Sequence, residues 1–277
     1  MLEERLAPLW QRRRPAIMGI VNVTPDSFFD GGHLPNVAAA VDYGLRLRDE
    51  GADILDVGGE SSRPGADAVP VEVELERVVP VLHELRRRDA GVLLSVDTCK
   101  PEVAAAALAA GADLVNDISA GAAPAMLEVI GTANAGVVLM HMRGTPRTMQ
   151  HDTRYTEVVA EVHAYLAERA ERAITAGVAP QRVLLDPGIG FGKDVEGNVR
   201  LLAAAGDLAA LGYPIVVGAS RKSFIGALTG AGVADRLPGS LAALVAVAAV
   251  ERVIVRVHDV AATVQFLVTV AALRGAA

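Results

Sequence analysis

Gly51-Ala52-Asp53-Ile54-Leu55-Asp56 returns further along the chain as Gly111-Ala112-Asp113-Leu114-Val115-Asn116. In both copies a glycine closes a helical stretch and an apolar run begins two or three residues later, the pattern of a left-handed helix cap leading into a strand. Helical spacing is visible before the first copy in Val37, Val41, Leu45 and Arg48, and between the copies in Leu75, Val78, Val79, Leu82 and Leu85. Working outward, short apolar runs recur at Ala16–Val21, Ile54–Val57, Val92–Val96, Leu114–Val115, Val137–Met140, Val183–Leu185, Ile215–Val217 and Val253–Val257. They lack polar alternation, as strands buried on both faces do. Eight β/α units in about 250 residues make the length of one barrel of parallel strands. The expected fold is therefore α/β, a (β/α)8 barrel of the TIM type, with residues 1–277 forming one domain.

An open doubly wound sheet is the competitor, and it would carry a phosphate loop after its first strand. The one glycine-rich candidate, Gly188-Ile189-Gly190-Phe191-Gly192-Lys193, follows the sixth apolar run and has the wrong spacing for either nucleotide fingerprint. It reads as a tight loop at a strand end.

Composition narrows the function. Of 277 residues 52% are apolar, which excludes disorder of the whole, and the longest apolar stretch, Leu241–Val250, is half of what a bilayer helix needs. No membrane association is expected. Met1–Pro15 lacks the apolar core of a signal peptide, and the one cysteine, Cys99, suits a reducing compartment, so a cytoplasmic setting is expected. A net charge of −7 argues against nucleic acid as a partner.

In such a barrel the chemistry gathers where strands end. Those positions are polar here. Asn22, Thr24, Asp26 and Ser27 follow the first run, and Gly58-Gly59-Glu60-Ser61-Ser62-Arg63-Pro64-Gly65 the second. Later runs end at Asp97, at Asn116 and Asp117, at Met140 and His141, and at Asp186; the seventh leads to Ser220, Arg221, Lys222 and Ser223, and the last carries Arg256 and His258. Each has a bland reading. Asp97 and Asp186 could cap the next helix, Asn116 could fill a turn, and Met140 and Phe191 could be packing. Lys222, one of three lysines with Lys100 and Lys193, could be solvated, and His141 and His151 read as structural or solvent-facing. Arg256 is harder to set aside, because it interrupts an apolar strand and a buried arginine needs an anionic partner.

Together these residues describe a ligand with two unlike ends. Asp97, Asn116 and Asp186, converging from adjacent strands, offer acceptors to a planar heterocycle with amino and ring N–H donors. Asn22, Arg63, Arg256 and His258 suit a phosphate or diphosphate. No protein metal cage is apparent, but Mg²⁺ held mainly by substrate phosphates and water needs one side-chain oxygen, which Asn22 can supply.

The strings Gly19–Phe28 and Gly58–Gly65 resemble the two signature loops of the dihydropteroate synthase family, the folate enzymes that sulfonamides inhibit. The likeness continues through Ser95–Thr98, Asn116–Ile118, Asp186–Lys193, Ser220–Phe224 and Arg256–Val260. Ser62, where the family commonly has threonine, and Phe29, where many members have a small polar residue, depart from it. The resemblance implies condensation of 6-hydroxymethyl-7,8-dihydropterin diphosphate with 4-aminobenzoate. It places Asp97, Asn116, Ile118, Met140, Asp186, Phe191, Gly218, Lys222 and Arg256 around the pterin. It places Asn22, Arg63, Arg256 and His258 on the diphosphate with Mg²⁺, and Phe28, Ser62, Pro64 and Ser223 around the aminobenzoate. Asn22, Arg63, Asp97, Lys222, Arg256 and His258 are the implied catalytic set. Glycines 31, 32, 58, 59 and 65 are expected to let the first two loops close as a lid.

The nearest alternative is a pterin-binding methyltransferase acting on methyltetrahydrofolate, which would not need the Ser61–Pro64 loop or Lys222. A silent homologue should have lost part of the anion site, and a phosphate-binding aldolase should show a Schiff-base lysine inside a strand. Val264–Leu273 is apolar nearly all round and, with Leu241–Val250, exceeds what one barrel face needs. A homodimer through the last helices is expected, as the family also implies.

Overall fold

The computed structural model describes residues 2–24, 36–62 and 65–276. Eight parallel strands close into a barrel in sequence order: β1 (Ala16–Asn22), β2 (Ile54–Gly58), β3 (Leu93–Asp97), β4 (Leu114–Asp117), β5 (Gly136–Met140), β6 (Val183–Asp186), β7 (Ile215–Val217) and β8 (Val253–Val257). Closure is made by β1 on β8, with Ala16 opposite Ile254 and Met18 opposite Arg256. The helices among the described residues are α1 (Leu2–Trp10), α2 (Val37–Asp49), α3 (Val71–Arg88), α4 (Pro101–Ala109), α5 (Pro124–Thr132), α6 (Val158–Thr175), α7 (Val195–Ala203), α8 (Ala205–Ala209), α9 (Ser223–Thr229), α10 (Leu237–Ala243) and α11 (Val260–Gly275). The (β/α)8 expectation holds. No described helix is long and apolar enough to cross a membrane. The Leu241–Val250 run leaves α10 after Ala243 and passes through a 3₁₀ turn at Leu244–Ala246.

The repeated segments do the same work twice. Gly51 and Gly111 take φ of +107° and +106°, and each is followed by a bond back into the ending helix, from Ala52 N–H to Leu47 and from Ala112 N–H to Ala107. The aspartate two residues on then ties in a neighbouring strand. Asp53 accepts the Ile17 N–H and Asp113 the Leu94 N–H, both at 2.9 Å.

Strand alternation sorts the core into two layers. Ile17, Val21, Leu55, Val57, Leu94, Val96, Val115 and Val255 face outward and pack under the helices. Met18, Ile54, Leu93, Leu114, Val138, Leu184, Val216 and Ile254 face inward and fill the barrel's N-terminal half, where Leu2, Leu6 and Leu9 of α1 close the floor. Two residues further along β2, β3, β4, β6 and β8 the inward side chain turns polar, whereas β1 and β5 keep Ile20 and Met140.

Candidate active site

Following the inward face toward the strands' C-terminal ends, Ile54 gives way to Asp56, Leu93 to Ser95 and Asp97, Leu114 to Asn116, Leu184 to Asp186, and Ile254 to Arg256 and His258. Of this polar layer, laid on an apolar one, Asp97, Asn116, Asp186, Arg256 and His258 line a cavity with Ile20, Ser62, Ile118, Met140, Ile189, Phe191, Gly218, Ser220 and Lys222, while Asp56 and Ser95 are fully buried outside its lining. Its free volume is small, about 40 Å³. A roomier cleft of about 630 Å³ lies at the opposite end, beside Leu2 and between α4 and α5. That cleft is mostly aliphatic and has no convergence of polar groups, so chemistry points to the smaller one.

Arg256 has its anionic partners. Its Nε donates to Asp56 Oδ2 at 2.6 Å and one terminal nitrogen to Asp97 Oδ2 at 2.7 Å. Asp56 also accepts the Asn116 Nδ2–H at 3.0 Å, which leaves the Asn116 amide oxygen as that side chain's acceptor. One carboxylate thereby orients both a cation and an amide. Asp56 went unnoticed in the sequence because a lone acid within Ile54–Gly58 does not break a strand pattern. The usable signal was its phase: it lies two residues after Ile54, on the face that Arg256 also occupies.

Burial pushes the Asp97 carboxyl up to about 7 despite the pull of Arg256, with Asp56 and Glu74 adding to the rise. Asp186 is pushed up to about 6 by burial, against the stabilising Gly188 N–H and Lys222. The Gly188 N–H meets Asp186 Oδ1 at 2.6 Å. Burial brings Lys222 down to about 8, with the Arg256 charge acting the same way. Its ammonium sits 3.8 Å from the Phe191 ring centroid, a cation–π contact across one wall.

On the rim, Ser220 Oγ accepts the His258 N–H at 3.3 Å and lies 3.0 Å from His258 Nδ1. The two contacts to one hydroxyl fix the orientation of the His258 ring against β7's end.

One expectation needs correction. Asp97 and Asn116 are lateral neighbours across β3 and β4, but Asp186 is not adjacent: β5 intervenes, with Met140 opposite Asp186. Ser223 opens α9 and is exposed, whereas Ser220 continues the inward phase of Val216 and Gly218 and lines the cavity. Asn22 ends β1 two residues beyond Ile20, outside the lining residues. The lid expectation also changes. Gly58 belongs to β2, and a Cβ on Gly59 would stand 2.9 Å from Val78, so close packing explains that glycine; of the three described, only Gly65 takes a positive φ, +79°. Phe28, Phe29, Gly31, Gly32, Arg63 and Pro64 lie outside the described residues. His141 is buried and His151 exposed, as expected.

The sequence profile of pterin binding enzymes matches residues 18–258. The chain belongs to the pterin-binding enzyme family. Within that family it is 47% identical over 251 residues to the dihydropteroate synthase of Escherichia coli K12, covering 91% of this chain and 89% of that protein. The dihydropteroate synthase of Xanthomonas albilineans, solved with 4-aminobenzoic acid, is 51% identical with a TM-score of 0.88, over 94% of this chain and 93% of that one. The Yersinia pestis dihydropteroate synthase in a sulfonamide drug complex is 43% identical with a TM-score of 0.89, over 95% of each. As a pterin-binding enzyme the chain has a ready explanation for its acceptor-rich cavity.

The second loop is also anchored in a way the sequence did not suggest. Lys100 pairs with both Glu60 and the buried Glu74, and Arg77 donates to Gly59 O at 2.7 Å. These ties fix the segment that delivers Ser62 to the cavity.

Proposed function

We infer that this barrel is a dihydropteroate synthase, joining 6-hydroxymethyl-7,8-dihydropterin diphosphate to 4-aminobenzoate and releasing pyrophosphate. The observation that carries the reading is the cavity's division, with Asp97, Asn116 and Asp186 as acceptors on its strands and Arg256 and His258 as donors toward its rim. The whole chain is taken as one pterin-binding unit. In this reading Asp97, Asp186 and the Asn116 oxygen receive the pterin's amino and ring N–H groups, with Lys222 and the Gly218 backbone alongside. Ile118, Met140 and Phe191 supply the apolar faces.

The reaction breaks the C–O bond between the exocyclic methylene and the diphosphate, whose oxygen keeps the electron pair. The amine nitrogen of aminobenzoate then forms the C–N bond and loses its proton. An electron-rich dihydropterin stabilises positive charge on that methylene, so no nucleophilic serine or cysteine is needed. Arg256, His258, Arg63 and Asn22 hold the departing diphosphate, and the barrel wall excludes water from the cation. No group of three or more His, Cys, Asp or Glu among the described residues could cage a metal. Mg²⁺ bound largely through the diphosphate fits that donor set, needing one neutral oxygen such as that of Asn22, and would supply charge neutralisation there. Phe28, Ser62, Pro64 and Ser223 shape the aminobenzoate end; sulfonamides compete there.

The exposed apolar residues Val245, Val268 and Leu273 beside and along α11 support a homodimer through the last helices, and the lone Cys99 supports a cytoplasmic setting. The test of the reading is pyrophosphate release, expected only when both substrates are present and stoichiometric with pteroate. Methyl transfer from methyltetrahydrofolate without pyrophosphate would instead favour the methyltransferase.

His258→Ala should depress turnover by roughly 10- to 100-fold while changing pterin affinity much less, because the diphosphate's charge develops in the transition state. Steady-state kinetics beside pterin titration separates the two. An equal loss in both would give His258 a binding role instead.

pH supplies another check. Asp97 and Asp186 hold their protons more tightly folded, near 7 and 6, than in the unfolded chain, so their contribution to stability is full below about pH 4 and is lost as pH rises through those values. A ligand that donates to the carboxylates favours their ionised forms. Pterin affinity should therefore rise between about pH 5 and 8, as first Asp186 and then Asp97 ionises, and level off above, measured by calorimetry. A flat profile would show that these carboxyls do not receive the ligand's donors.

A further inference from the structure

Lys193 has no part in the chemistry above, yet it is 3% exposed at the base of the cavity wall. Its ammonium lies 2.8 Å from Phe191 O, 2.9 Å from Gly188 O, 3.2 Å from His141 O and 3.0 Å from His141 Nδ1. No carboxylate bonds to it among the described residues. Burial brings this amine down to about 7 against the pull of the Asp186 charge, so holding it as an ammonium with no carboxylate bonded to it is costly and the arrangement demands a use.

The surrounding backbone is built to aim carbonyls at this point. Gly188, Gly190 and Gly192 take φ of +68°, +83° and +63°, and a Cβ on Gly188 would stand 1.9 Å from His141 O, closer than any side chain allows. Three backbone oxygens from two separate segments, the end of β5 and the loop after β6, thus converge on one nitrogen. The imidazole of His141 is the fourth partner. Burial and the Lys193 charge bring it down to about 3, so it is neutral and its Nδ1 accepts. Its ring is set edge-on against Tyr165 at 4.9 Å. Tyr155 Oη further ties the loop by donating to Gly192 O at 2.9 Å.

The two segments joined at Lys193 carry Met140 on one side and Ile189 and Phe191 on the other, all of which line the cavity. Phe191 is held from both sides: Lys193 takes its carbonyl and Lys222 lies on its ring.

We propose that Lys193 is a positioning residue that cross-links the β5 end to the post-β6 loop and thereby sets the width of the slot between Met140 and Phe191 into which the pterin ring slides. The proposal rests on the function inferred above. It assigns a role in pterin binding to a side chain that never touches the ligand, and separates that role from chemistry at the diphosphate.

The experiment compares wild type, Lys193→Met and His141→Phe. The wild-type enzyme must bind pterin and release pyrophosphate; if it does not, the functional reading fails before Lys193 is at issue. Lys193→Met keeps the length of the stem and removes the donor shared by three carbonyls and an imidazole nitrogen, Gly188 O retaining the Phe191 N–H at 3.1 Å, so pterin affinity and the KM for pterin diphosphate should worsen by roughly 10- to 100-fold. The KM for 4-aminobenzoate, measured at saturating pterin diphosphate, and kcat should stay within about threefold, since effects confined to ground-state binding leave kcat unmoved. A truncated Lys193→Ala enzyme should recover pterin affinity when propylammonium is added, because a free alkylammonium can enter the same cage. A folded Lys193→Met with wild-type pterin affinity would overturn the proposal, as would a loss confined to kcat. Should Lys193→Met fail to fold, His141→Phe decides: it retains the bulk of the ring and removes one acceptor. A several-fold loss of pterin affinity with unchanged aminobenzoate KM would support the cross-link, and unchanged pterin affinity would refute it.

Discussion

Asp186→Asn should bind pterin roughly 10- to 100-fold more weakly than wild type while unfolding at nearly the same temperature. The side chain already spends Oδ1 on the Gly188 N–H at 2.6 Å, a bond that an asparagine oxygen can keep. The second position then becomes an amide donor facing the ligand's own donors, a mismatch within a buried site. Stability is spared because the substitution removes a carboxylate whose burial is unfavourable near neutral pH. Calorimetric titration and a thermal melt on the same sample are sufficient. A folded variant with near-native pterin affinity would remove Asp186 from the site.

Arg256→Ala should be more damaging and should fail differently. It leaves Asp56, wholly buried, and Asp97, nearly so, as neighbours on the paired strands β2 and β3 without their shared cation. Stranding one side of a buried ion pair costs about 3 to 5 kcal/mol, and the 18% exposure of the arginine side chain moderates that to about 2 to 4 here. Turnover should drop by roughly 100-fold or more, since the same residue faces the diphosphate. The stability loss should grow with pH: unpaired, Asp97 would hold its proton still more tightly than it does at about 7, so acidic conditions relieve the penalty and alkaline ones impose it. Urea unfolding at pH 5 and pH 8 tests this. An equal loss at both would mean that the carboxylates are not the source. Arg256→Lys should rescue little, because an ammonium cannot place two nitrogens on two separate carboxylates.

The barrel was legible because double-sided burial writes each strand as an unbroken apolar run. Its edges were less so. Asn22 and Gly58 are strand residues that read as the start of a loop, since in this architecture the polar site begins before the strand ends. The convergence of the acceptors, and the need of Arg256 for an anion, followed from sequence. Its partner Asp56 did not, because one acid in a buried strand looks like a tolerated exception until the phase of neighbouring strands is known. Lys193 was passed over for a related reason: its partners are backbone oxygens, which no side-chain pattern reveals.

The floor helix α1 bears on how the chain is made. Leu2, Leu6 and Leu9 pack among inward residues of strands as late as Val216 and Ile254, so α1, made before every strand it packs on, acquires its resting place only when β8 arrives. Until then its apolar side has no barrel end to cover and must wait, through most of translation, in a form other components of the cell can seize. A bulky fusion ahead of Leu2 would meet this order of events at its weakest step, lowering the yield of folded enzyme while leaving the activity of each molecule that does close unchanged.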